Sequence, residues 1–200
     1  MSRLATSFVL GYHGCDAKVA SKLISGNDRM IPSSQDYDWL GSGVYFWESD
    51  PQRAMEFAEW KVSRGEYDKA AVVGAVLDLG NCLDLSNRKN LDLLRGAFEA
   101  LKDYTETVGS PMPKNEGTKA DPYGDRLLRF LDYAVLQRLH TMMERGFDEG
   151  VGPPPFDTVR GMFTEGAPVY DGCAFLDKTH VQIAVRTPEN IVGIFKPLRH

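Results

Sequence analysis

The 200-residue chain is 42% apolar and 26% charged, an ordinary globular composition that argues against disorder, collagen-like structure and repeat arrays. Its 23 Lys and Arg against 28 Asp and Glu give a formal charge of −5, so a general electrostatic grip on nucleic acid is not expected, whereas one local patch is compatible. Cys15, Cys82 and Cys173 are odd in number, far apart and without zinc-ligand spacing, which fits neither a disulfide scaffold nor a structural metal.

The N-terminal Met-Ser-Arg-Leu-Ala-Thr-Ser-Phe-Val-Leu holds too short an apolar run for a signal peptide, and no stretch approaches the roughly 20 apolar residues of a membrane span. A cytoplasmic chain of one domain, residues 1–200, without membrane contact is therefore expected. Phe8 to Gly14 reads as a short buried strand. Asp16 can cap a helix with Val19, Ala20, Leu23 and Ile24 at helical spacing, stopped by Gly26. Residues 30–42 are turn-rich yet carry Tyr37 and Trp39, the pattern of a covering loop. Gly43 to Trp47 reads as the next strand. Asp50 and Pro51 then open a helix with Ala54, Phe57, Ala58 and Val62 inward. Ala70 to Leu79, apolar on both faces, reads as a central strand.

Ser86 can cap a helix with Leu91, Leu94, Phe98 and Leu101 on one face. Residues 108–124, rich in Gly, Pro and Lys, read as a mobile loop. A longer helix is expected from about Asp125 to Arg145, with Arg126, Arg129, Arg138 and Arg145 on a solvated surface. Strand-like segments return after Phe156, most clearly Val181–Val185 and Ile191–Phe195 around a Thr-Pro-Glu-Asn turn. Strands at both ends with helices between them indicate an α+β domain.

No P-loop, G-x-G-x-x-G, H-E-x-x-H or G-x-S-x-G motif is present. Three segments stand out instead: Tyr12-His13-Gly14, Gly41-Ser42-Gly43-Val44-Tyr45-Phe46, and Thr179-His180-Val181-Gln182. Each residue alone has an ordinary structural explanation, His13 as a turn histidine, Tyr45 as core, Gln182 as an edge-strand side chain. Their order is more specific. Strand-His-Gly, helix, long loop, Gly-x-Gly-Val-Tyr-Phe, a helix starting Asp-Pro-x-x-Ala and a late polar residue opening a strand resemble the ADP-ribosyltransferase superfamily. The branch is the diphtheria-toxin-like or poly(ADP-ribose) polymerase-like one with a His-Tyr-Glu triad. The resemblance covers residues 7–60 well and 178–197 more loosely, and residues 86–155 look like a helical insertion into its split β-sheet core.

What the resemblance implies is an NAD⁺-dependent mono-ADP-ribosyltransferase, with NAD⁺ as substrate and no metal. His13 would hydrogen-bond the adenosine ribose, and Gly14 would bind the nicotinamide carboxamide through its backbone. Tyr45 would stack on nicotinamide, with Phe57 as a second stacking face. Tyr37 and Trp39 would touch adenine or the acceptor, and Arg160 a phosphate. The acceptor would be macromolecular, a protein in preference to RNA or DNA by charge, and the setting a bacterial toxin, effector or defence enzyme with an antitoxin or immunity partner. An NAD⁺ glycohydrolase and a non-catalytic NAD⁺- or ADP-ribose-binding module are the alternatives.

The sequence departs from the family at three places. Gln182 stands where many members have glutamate, Cys15 where they have a small hydroxyl residue, and Arg53 or Ala54 where they offer serine to the carboxamide. Gln182 can hydrogen-bond a ribose hydroxyl but cannot act as a general base, so single transfer rather than chain elongation is expected. Glu48, three residues past Tyr45, is placed to compensate or is a strand-end acid. Glu165 and Arg160, in a stretch too polar and glycine-rich for core, belong to the site or to a salt-bridged turn.

Overall fold

The structure is a computed structural model that describes residues 8–117 and 123–198. Chain order is β1 (Phe8–Asp16), α1 (Ala17–Ile24), β2 (Val44–Glu48), α2 (Pro51–Ser63), β3 (Ala70–Asp78), β4 (Cys82–Asp84), α3 (Arg88–Val108), α4 (Phe130–Asp148), β5 (Thr158–Phe163), β6 (His180–Val185) and β7 (Ile191–Phe195). The strands form one mixed sheet in the order β4-β5-β6-β2-β1-β3-β7, so the α+β class holds. All neighbours are antiparallel except β4 and β5. Among the described residues no helix is long and apolar enough to cross a membrane.

Local chemistry sets the element ends. The Asp16 carboxylate accepts from Lys18 N and also from the Asp68 and Lys69 amides, so the cap of α1 is also a clamp between β1 and β3. Asp50 accepts from Arg53 N with Pro51 in the first turn of α2, as the sequence indicates. β3 lies between β1 and β7 in the sheet and packs against α1 on one face and α2 on the other, which is why it is apolar on both faces.

One sheet face is covered by α3 and α4, which bury Leu83, Val159 and Ala184 with Leu40, Leu101, Leu136 and Leu139. The opposite face holds Val44, Phe46, Ala75, Leu77, Ile183 and Val185, extended toward α1 by Cys15, Ala20, Leu23 and Val73. Period-two alternation along each strand divides the side chains between these faces.

Five expectations are corrected. Asn87, not Ser86, caps α3: the helix starts at Arg88, and the Asn87 side chain accepts from Lys89 N, while the Ser86 hydroxyl donates to Asp84. The long helix begins at Phe130 rather than near Asp125: Leu128 bridges to Glu116, and Arg126 has φ +51°, which a helix cannot include. Its start is capped from outside, by the Asn115 side chain accepting from Leu131 N and Asp132 N. The described part of the 108–124 loop is thus pinned, with Met112 packed on the α3–α4 core. Arg129 pairs with Asp132 and lies over the Phe163 ring, and Arg138 lies over Tyr104, so neither is simply solvated. Finally, residues 160–163 are part of β5, with Gly161 under the Trp39 ring and Phe163 buried.

Candidate active site

The register between β1 and β2 is confined to Gly11 opposite Glu48 and Tyr12 opposite Trp47. Past Tyr12 the strands part. His13 to Asp16 continue along β3, while Val44 to Phe46 continue along β6. The sheet is therefore split at this point, with His13 and Gly14 on one side of the split and Tyr45 and Phe46 on the other.

His13 spans it. Its Nδ1 lies 2.8 Å from the Tyr45 carbonyl oxygen, and because a carbonyl only accepts, Nδ1 carries the proton. Burial lowers the ring's pKa and the Tyr45 bond pulls against that shift, so the ring is neutral at pH 7 with Nε2 as an acceptor. Gly14, next in the chain, faces the other way. A Cβ there would overlap the Ala54 carbonyl oxygen and stand 3.3 Å from Ala58 Cβ, so only glycine allows α2 this close to β1.

Gly14, Tyr45, Trp47, His180 and Gln182 alternate onto the face that carries α2, α3 and α4. The Tyr45 hydroxyl donates to Gly41 O (2.8 Å) and accepts from Leu40 N (2.9 Å), fixing the 30–42 loop to the ring. Burial holds this phenol well above the usual tyrosine range. Trp39 Nε1 donates to Gln182 Oε1 at 2.6 Å, and its ring packs edge-on to Phe163. Phe57 stacks at a tilt on Trp47 with centroids 5.2 Å apart. Tyr37 sits further out, edge-on to Phe130.

The remaining candidates lie on the opposite face, the one to which the His13 ring also points, against Phe46. Arg160 donates to both Glu48 oxygens (2.6 and 3.2 Å) and to Asp84 (3.1 Å), so Glu48 and Arg160 are each other's partners there. Cys15 is buried against α1, and burial with the neighbouring Asp16 charge pushes its thiol up to about 11. It packs as a small apolar side chain.

A second cluster joins Glu165 and Arg53, named separately by sequence, to His180. Arg53 of α2 pairs with Glu165, whose Oε1 is also 3.8 Å from His180 Nδ1. Glu165 is held by a hairpin-like loop in which Lys178 N donates to the Glu165 carbonyl and Pro168 bridges Leu176. Burial raises the Glu165 pKa, with Arg53 pulling it down. His180 lies between the rings of Phe163 (5.8 Å) and Trp47 (6.1 Å). The usable signal was alternation: His180 is two residues before Gln182 and Trp47 two after Tyr45, so all four share one face. Glu165 and Arg53, 112 residues apart, gave no such signal.

Two open hollows among the described residues lie elsewhere. One of about 920 Å³ is lined by Gly80, Asn81, Glu144, residues 153–157, Arg186 and Thr187. The other lies between the end of α3 and Met112.

The chain matches no family model and no solved structure. Over 39 residues it is 44% identical to an uncharacterized protein of Methanocaldococcus jannaschii, a stretch that covers 20% of this chain and 18% of that protein.

Proposed function

We propose that the chain is an NAD⁺-dependent mono-ADP-ribosyltransferase, cleaving the nicotinamide glycosidic bond and transferring one ADP-ribose to a macromolecule. The observation that supports this most is the split between β1 and β2. There the two sequence-distant motifs meet, His13 bonding to the Tyr45 main chain while Gly14 and the Tyr45 ring share one face. In this reading the Gly14 backbone receives the carboxamide and Tyr45 the nicotinamide ring. His13 Nε2 accepts from a ribose hydroxyl, and Gln182 orients the second ribose. Nicotinamide leaves as a neutral molecule from a cationic pyridinium, so departure needs no acid. The protein's task is to orient the ribose, exclude water and stabilise the oxocarbenium-like state. Attachment of Trp39 to Gln182 and of Arg53 to Glu165 keeps the loops drawn over this face, so NAD⁺ entry requires them to shift.

A non-catalytic NAD⁺-binding module is the second reading, favoured by an amide rather than a carboxylate at position 182. Incubation with NAD⁺ labelled in the adenosine part decides. Released nicotinamide with a single labelled adduct on a protein or RNA supports the transferase, and released nicotinamide with free ADP-ribose marks a glycohydrolase. Binding without release marks the module, and ladders of product overturn single transfer. His13→Ala and Tyr45→Ala that each leave release unchanged overturn the site.

A further inference from the structure

We infer that His180 is the general base that takes the proton from the nucleophile attacking the nicotinamide ribose, an inference that rests on the NAD⁺-cleaving reading above. With Gln182 on β6 opposite Trp47, the site has no carboxylate on that strand to do this. The His180 ring has the geometry of a base. Its Nδ1 lies 2.7 Å from the Lys178 carbonyl oxygen, which can only accept, so the proton is on Nδ1 and the lone pair on Nε2. That Nε2 is buried and has no hydrogen-bond partner among the described residues. A buried polar atom without a partner is costly unless a ligand or substrate meets it. Trp47 Nε1 and Arg53 Nε, on the groups packed around the same ring and its Glu165 neighbour, are likewise unmet.

The step balances without a further reactant. An O–H or N–H nucleophile, water included, forms a bond to the ribose C1′ as the C1′–N bond breaks. The electron pair of the broken bond passes to the pyridinium nitrogen, giving neutral nicotinamide. The nucleophile's proton goes to His180 Nε2. The imidazolium so formed is held by the Lys178 carbonyl and by Glu165 at 3.8 Å, and then loses its proton to solvent.

Burial keeps the ring neutral in the resting enzyme. Arg53 from α2 acts in the same direction, while Asp50 and Glu56 on that side favour the imidazolium. Glu165 and Lys178 face it from the loop. Nicotinamide release from NAD⁺ with water as the acceptor, followed from pH 4.5 to 9, provides the test. The wild type should lose activity on the acid side as His180 protonates. His180→Gln should be slower by about 100-fold at pH 7.5, the usual worth of a positioned base, and should lack that acid limb. Imidazole added to His180→Ala should restore part of the rate, which it would not do for a packing residue. Arg53→Gln, by removing a cation beside the ring, should move the limb to higher pH. An unchanged rate and limb in His180→Gln, or a limb that stays in place in Arg53→Gln, overturns the assignment alone. A wild-type chain that releases no nicotinamide overturns both the enzymatic reading and this one.

Discussion

Replacing Gly14 by alanine tests the position where, among the described glycines, a Cβ would meet backbone most closely. The added methyl would overlap the Ala54 carbonyl oxygen, stand 3.1 Å from its carbon and 3.3 Å from Ala58 Cβ. None of these atoms is the end of a flexible side chain. The two fully buried positions of α2 are both alanine, so the helix has nothing to repack and must lift from β1. Overpacking of this kind costs about 1–3 kcal/mol, and obstruction by backbone puts Gly14→Ala near the upper end. For a chain of this length 3 kcal/mol lowers Tm by roughly 6–12 °C. Gly96, inside α3 with nothing near its absent Cβ, is the control: Gly96→Ala should stabilise by about 0.5–1 kcal/mol through helix propensity. Thermal unfolding followed by circular dichroism reads both. Well below its Tm, Gly14→Ala should also release nicotinamide at least about tenfold more slowly, the loss of roughly 1.4 kcal/mol of binding or orientation. A Gly14→Ala protein that melts with the wild type would refute the β1–α2 contact. One that melts early yet turns over normally would refute the carboxamide role of Gly14.

Three further outcomes are expected. Gln182→Ala leaves Trp39 Nε1 without its acceptor and should destabilise by about 1–3 kcal/mol, with increased protease cleavage in residues 30–42; unchanged cleavage and Tm would show the Trp39 bond does not anchor that loop. His140, 3% exposed with neither ring nitrogen paired, is held neutral by burial with its pKa lowered to about 3, whereas the unfolded chain takes up that proton near pH 6.5. Its contribution is whole above pH 6.5 and declines by about 1.4 kcal/mol per unit below it, at most about 2 kcal/mol by pH 5, with His13 and His180 acting in the same sense. His140→Leu should flatten that decline in urea titrations, and an equal slope in both proteins would refute it. Arg160→Met leaves Glu48 and Asp84 facing each other and should lower stability by about 1–2 kcal/mol, while KM for NAD⁺ stays within twofold because the Arg160 guanidinium is taken up by Glu48 and Asp84, away from Gly14 and the Tyr45 ring; a large KM rise would place Arg160 in the NAD⁺ site after all.

Legibility in the sequence followed range. Elements whose ends are set by near neighbours were readable: Asp16 and Asp50 announce α1 and α2 because a cap bonds an amide two or three residues on. The start of α4 was not, because its cap is Asn115, delivered by a loop 16 residues earlier in place of a local side chain. β5 was misread for a related reason. Gly161 looks like a loop residue until the Trp39 ring that occupies its missing side chain is known, and the segment looks too polar for core until Glu48 and Asp84 arrive from other strands to pair with Arg160. The candidate site divides along the same line. His13-Gly14 and Tyr45 could be paired from motif order, and the two-residue register between β1 and β2 brings them together. Glu48 could not be placed from proximity in sequence: three residues from Tyr45 is an odd offset, which in a strand sends the two side chains to opposite faces. The same parity rule, applied backward from Gln182, selects His180. Period two thus separates the carboxylate that sequence proximity suggested from the imidazole that shares the face of the split.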